Sequence, residues 1–148
     1  MKKFRNSYAA YMLLYSFYFM STSLFTTLIS VYLMGKHYSA TQVSTLVSVA
    51  FFLSMVAQPF FGYINERFGI VKMTTLSLSV IIGGVFGFLW APNLFWLTVF
   101  YGIVLVCLNG TAPMMEVFAT QSPYAFGKIR VWGTIGYSVG VQIAGWVY

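Results

Sequence analysis

The stretch YAAYMLLYSFYFMSTSLFTTLISVYLM, residues 8–34, carries no charged side chain. It is longer than the roughly 20 apolar residues with which a helix crosses the hydrocarbon core of a bilayer, and too long for the apolar region of a secretory signal. It therefore predicts a membrane span. Outward from it, GKHYSAT (35–41) reads as a linker, and a second span follows from Gln42 to Ile64. The segment NERFGIVK (65–72) is the most charged internal stretch and reads as a loop. A third span covers Met73 to Trp90, Ala91-Pro92-Asn93 makes a tight turn, and a fourth span runs from Leu94 to Ala119. A polar segment from Gln121 to Lys128 leads into a fifth span from Ile129 to Tyr148. The fold expected is all-α and integral to the membrane, with about five transmembrane helices in one domain over residues 1–148.

Composition supports the same class. Hydrophobic residues make up 59% of the 148 residues, charged residues 7%, and mean hydropathy is +0.81, whereas soluble domains carry about 25% charged residues. A net charge of +6 raises the question of nucleic acid. The basic residues lie in short clusters between apolar runs, where they act as topology signals, so no nucleic-acid partner is expected; the partner is the lipid bilayer. Cys107 is the single cysteine and His37 the single histidine, which leaves no disulfide framework and no metal site of the Cys/His type. No HExxH, GxSxG or Walker loop is present. Enzymatic catalysis has little to stand on, and no cofactor is expected.

Lysine and arginine placement sets orientation. With the N-terminus inside, Lys2, Lys3, Arg5, Arg67, Lys72, Lys128 and Arg130 fall on the cytoplasmic side and only Lys36 outside, as the positive-inside rule demands. The chain is thus expected to be a multi-pass protein of the cell membrane with a cytoplasmic N-terminus. Tyr8, Tyr11, Tyr38, Tyr63, Trp90, Trp96, Tyr124 and Trp132 cluster near the span ends, where an interfacial aromatic belt would lie.

Polar residues inside the spans carry the functional signal. Asn109, Pro113, Glu116 and Thr120 recur at helical spacing on the fourth span, and Arg130, Thr134 and Tyr137 share a face of the fifth. Helical rise puts Glu116 and Arg130 at neighbouring depths near the cytoplasmic end. Ionisable residues within spans are costly unless paired or solvated and mark binding paths. The alternative is structural: an arginine that snorkels to the headgroups and a carboxylate that pairs with it. Tyr11, Tyr15, Tyr18 and Thr22 on the first span, and Ser44, Ser48, Met55 and Gln58 on the second, form further polar stripes. Such stripes line an aqueous cavity or, more commonly, serve helix packing through hydroxyls bonded back to their own helix. Gly83, Gly84 and Gly87, and Gly133, Gly136 and Gly140, read as points of close helix approach. Pro59 and Pro113 fall inside spans.

The segment from Gln58 to Lys72 resembles the signature between helices two and three of the major facilitator superfamily. Gly62, Arg67 and Gly69 match it, Glu66 stands for the usual aspartate, and Ile70 and Val71 stand where the basic pair is expected, with Lys72 just beyond. In that family the loop locks the inward-closed state, which makes these residues the candidate gating loop. The segment Asn109-Gly-Thr-Ala-Pro-Met-Met-Glu116, followed by Phe126-Gly-Lys-Ile-Arg130 and Gly133, is similar to the lactose permease-like oligosaccharide/proton symporters. Phe126-Gly127-Lys-Ile-Arg130-Val-Trp132-Gly133 resembles the Tyr-Gly-x-x-Arg-x-Trp-Gly pattern of the phenylpropionate and nucleoside permease groups.

The resemblance implies a secondary active transporter working by alternating access, a proton-coupled symporter for a sugar, nucleoside or other small polar solute. It implies that Glu116 accepts solute hydrogen bonds, that Arg130 donates them in a fork and orients the carboxylate, and that Tyr137 is an aromatic platform; Asn109, on the same polar face as Glu116, is the fourth candidate solute-binding residue. It further implies an incomplete N-terminal six-helix half, whose partner is a missing C-terminal half and which is inactive alone, because such carriers rock two halves about a central site. A small dimerising membrane protein using the Gly136–Gly140 face, or a regulatory membrane subunit without a substrate, is the other class of reading.

Overall fold

The computed structural model describes residues 7–147; Lys2, Lys3, Arg5 and Tyr148 lie outside them. Five helices follow in order: α1 (Tyr8–Gly35), α2 (Ala40–Phe68), α3 (Ile70–Trp90), α4 (Leu94–Thr120) and α5 (Phe126–Val147). No strand occurs among the described residues. Helices α1 to α4 are each long and apolar enough to cross a bilayer. The chain is therefore an all-α, multi-pass membrane protein. Helix α5 falls short of the same hydropathy because Lys128, Arg130, Gln142 and four interior glycines dilute its apolar residues.

The structure redraws one loop. Residues 65–68 continue α2 and residues 70–72 already belong to α3, so the expected loop over 65–72 contracts to Gly69. Charged side chains do not end a helix whose backbone bonds are satisfied. What ends α2 is the backbone of Gly69, at φ 85° and ψ 139°, a region open essentially to glycine alone. The Gly69 amide still closes α2 by donating to the Asn65 carbonyl at 3.0 Å.

The chain divides into two compact units, one made of residues up to Ser39 together with those from Met115 onward, the other of Ala40–Met114. In the first, α1 and α5 pack along their lengths. Gly133, Gly136, Gly140 and Ala144 form the buried face of α5, and Tyr15, Tyr18, Ser23, Ile29 and Leu33 are the buried residues of α1. A side chain at Gly136 would collide with the Ser16 backbone, and one at Gly140 with the Ser23 hydroxyl and the Met20 carbonyl. Missing side chains thus bring the two backbones together, the usual device of membrane helices, which gain nothing by hiding apolar surface from lipid. The Gly136–Gly140 face is filled by α1 and is not an open dimerisation surface. Ser16 Oγ donates to the Trp132 carbonyl at 3.1 Å across the same interface.

In the second unit, Val43, Leu46, Ala50 and Ser54 of α2, Thr74, Ser77, Gly84 and Phe88 of α3, and Leu97, Tyr101, Val104, Leu105 and Leu108 of α4 are buried. Gly84 and Gly87 face the side chains of Val104 and Phe100, whereas Gly83 has open space around it. Thr74 Oγ1 donates to Met114 Sδ at 3.3 Å. Both proline-containing helices run through Pro59 and Pro113.

Candidate functional site

The end of α4 and the start of α5 are joined by a short turn that Ser122 organises. Its hydroxyl lies 2.7 Å from the Ala119 carbonyl and accepts from the Tyr124 amide at 3.3 Å. This satisfies polar backbone that a helix end leaves orphaned. Across this turn Glu116 and Arg130 come to face each other.

Arg130 Nη2 and Glu116 Oε1 are 3.8 Å apart, with 62% and 52% of the two side chains exposed. That separation is an ion pair but longer than a hydrogen bond, so no forked, two-bond clamp holds the carboxylate. Arg130 is steadied instead by Phe126, one turn earlier, whose ring centre lies 5.6 Å from the guanidinium carbon, within cation–π range. Thr134 and Tyr137 are exposed on α5, and Tyr137 follows Arg130 by two turns on the same side. An exposed, loosely held carboxylate and guanidinium beside an aromatic ring can accept, donate and stack against a solute bearing hydroxyls.

Asn109 lies in the other unit. There its Nδ2 donates to Ser54 Oγ at 2.7 Å, and Ser54 is 2% exposed, so Asn109 ties α4 to α2. The gating candidates are also placed by the structure. Gly62, Glu66, Arg67 and Lys72 are exposed around the Gly69 junction, and among the described residues none of the three charged ones forms an ion pair. Arg67 lies 5.9 Å from the ring centre of Phe68.

The tyrosine stripe of α1 does not line an open cavity. Tyr15 is 1% and Tyr18 7% exposed, both packed away, while Thr22 and Thr26 bond back to the carbonyls of Tyr18 and Thr22. Several of the aromatic residues assigned to the interfacial belt contact one another. Trp132 Nε1 donates to the Tyr8 hydroxyl at 2.7 Å, that hydroxyl donates to the Lys128 carbonyl at 3.2 Å, and the rings of Tyr8 and Tyr11 meet Tyr124 edge-on at 5.2 and 6.2 Å. The contribution of Phe126 went unread in the sequence. Its signal was there as an aromatic four residues before an arginine on one helix.

Residues 8–148 match the model of the MFS_1 like family. The sucrose permease of Escherichia coli is 28% identical over 156 aligned residues, which cover 96% of this chain and 38% of that protein. The chain thus spans well under half the length of this relative. No solved structure matches it.

Proposed function

The chain belongs to the MFS_1 like family of the major facilitator superfamily, and on that premise we propose that it forms the N-terminal part of a secondary transporter in the cell membrane, its N-terminus in the cytoplasm. In this reading it moves a sugar or other small polar solute together with protons by alternating access. The observation that carries the reading is the Glu116–Arg130 pair: two opposite charges on otherwise apolar helices, 3.8 Å apart and each more than half exposed. A pair kept only for packing gains from burial of its hydrogen bonds, whereas a pair that receives a solute needs accessible donors and acceptors. Glu116 accepts from solute hydroxyls, Arg130 donates to them, and Tyr137 offers its ring.

A second set of helices supplies the facing wall and the proton-handling groups, since carriers of this kind bind at the interface of two halves. Gly62, Glu66, Arg67, Gly69 and Lys72 form the gate, with Gly69 letting α2 turn directly into α3.

The test is equilibrium binding of radiolabelled sucrose, with uridine as competitor, to membranes in which the chain is produced together with a second six-helix half. Glu116→Gln and Arg130→Lys are each expected to weaken binding about 10-fold or more. Affinity unchanged in both variants sinks the reading, and displacement by uridine alone replaces the sugar with a nucleoside.

A further inference from the structure

Helix α5 carries a polar row that extends beyond the Glu116–Arg130 pair. Arg130, Thr134, Ser138 and Gln142 follow one another at intervals of four residues, all of them exposed, and residues at that spacing adjoin on a helix surface. From Arg130 to Gln142 the row climbs about 18 Å along the axis. In the other apolar helices hydroxyls bond back to carbonyls of their own helix, as those of Thr22, Thr26, Thr75, Ser79, Thr98 and Thr111 do. The side chains of Thr134, Ser138 and Gln142 make no hydrogen bond among the described residues. A hydroxyl or carboxamide turned toward lipid tails is costly, so the row calls for a partner that brings its own donors and acceptors. At its far end lies a groove of about 580 Å³, lined by Ser138, Val139, Gln142, Ile143, Trp146 and Val147, a volume within the roughly 300–1,000 Å³ of small-molecule sites. One edge of the groove is polar and the other apolar, and Trp146 is 90% exposed. That mixture matches a sugar ring, with hydroxyls around its rim and C–H groups on its faces.

We propose that Ser138, Gln142 and Trp146 form a second solute subsite, which takes the distal ring of a two-ring sugar whose first ring is held by Glu116, Arg130 and Tyr137. The proposal rests on the solute-binding reading of the ion pair. Ser138 directly follows Tyr137, so the second subsite begins where the first ends. There the Gln142 carboxamide both donates and accepts, the Ser138 hydroxyl does the same, and the Trp146 ring offers its face to the C–H side of the sugar. A one-ring solute fills only the first subsite. Preference for two rings over one therefore resides in the far half of α5, away from the charges.

Two measurements test this in membranes holding the chain together with a second six-helix half. In the first, Gln142→Leu and Trp146→Leu are each expected to weaken sucrose binding about 5-fold and to leave competition by glucose unchanged. Gln142→Leu makes α5 more apolar, so a lost affinity is not a lost membrane insertion. Sucrose affinity unchanged in both variants, or an equal loss for glucose, overturns the proposal. In the second, Ser138→Cys and Gln142→Cys in a Cys107→Ser background are expected to react with a membrane-impermeant maleimide and to be protected by sucrose. Absence of labelling at both positions means that lipid or another helix covers the row, and labelling that sucrose does not slow means a water-filled path; either result overturns the subsite. Weaker sucrose binding in Glu116→Gln and Arg130→Lys with none in Gln142→Leu and Trp146→Leu defeats the second subsite alone, whereas no effect in the first pair defeats the reading of the ion pair.

Discussion

The two units differ at their glycines, although Gly133 of α5 faces the side chains of Phe19 and Tyr15. Where α5 meets α1, the atoms that would obstruct a side chain at Gly136 are the Ser16 backbone, and at Gly140 they include the Met20 carbonyl. In the unit of α2, α3 and most of α4, the obstructing atoms are side chains: Val104 at Gly84, Phe100 at Gly87 and Phe61 at Gly110. Backbone cannot move without shifting its whole helix, whereas a valine or phenylalanine can change rotamer. The first interface is thus a fixed seam along the helix that carries Arg130, and the second is cushioned and tolerant of adjustment.

The sharpest way to break this contrast is Gly136→Ala. The added methyl meets immovable backbone, so a loss of about 3 kcal/mol is expected, read as a large drop in Tm together with solvent exposure of Trp132; a change below about 1 kcal/mol would mean that the seam yields. Next comes Gly69→Ala, where no atom lies within 4 Å but φ is +85°. Its expected cost of about 2 kcal/mol is purely one of backbone conformation, and a neutral result in denaturant unfolding would show that α2 and α3 need no glycine between them. Asn109→Ala removes the bond to Ser54 and should cost about 1 kcal/mol, seen as a modest drop in Tm; a comparable loss in Ser54→Ala and none beyond it in the double variant would identify the shared bond. Smallest of all, Gly83→Ala enters open space and should stabilise α3 by about 0.5 kcal/mol through helix propensity alone. If Gly83→Ala and Gly136→Ala had equal effects, the distinction between the units would collapse.

Hydropathy made the helical, membrane-spanning class legible, because a long uncharged run has few alternatives once backbone polar groups must be satisfied without water. Helical phase likewise brought Glu116 and Arg130 to one place, since both lie close to the same turn. It could not show that the pair is loose, because that depends on side-chain rotamers. Nor could it show which stripe of α1 would be buried. Tyr15 and Tyr18 look like cavity lining until they are matched with the glycines of α5, more than a hundred residues away in sequence, and periodicity carries no information about such partners. The 65–72 segment was misread for a related reason: its charges mark the water-facing level of the chain, while the helix ends only where Gly69 turns the backbone.

The low hydropathy of α5 bears on how the protein is made. A segment holding Lys128, Arg130 and Gln142 is a weak candidate for entering lipid from the translocon unaided, yet its glycine face is shaped for α1. We expect α5 to insert more efficiently when α1 is present to pack against it. Glycosylation mapping of α5 insertion with and without α1 would expose that dependence, and equal insertion in both cases would refute it. Where insertion does depend on it, α1 acts as an intramolecular chaperone for α5.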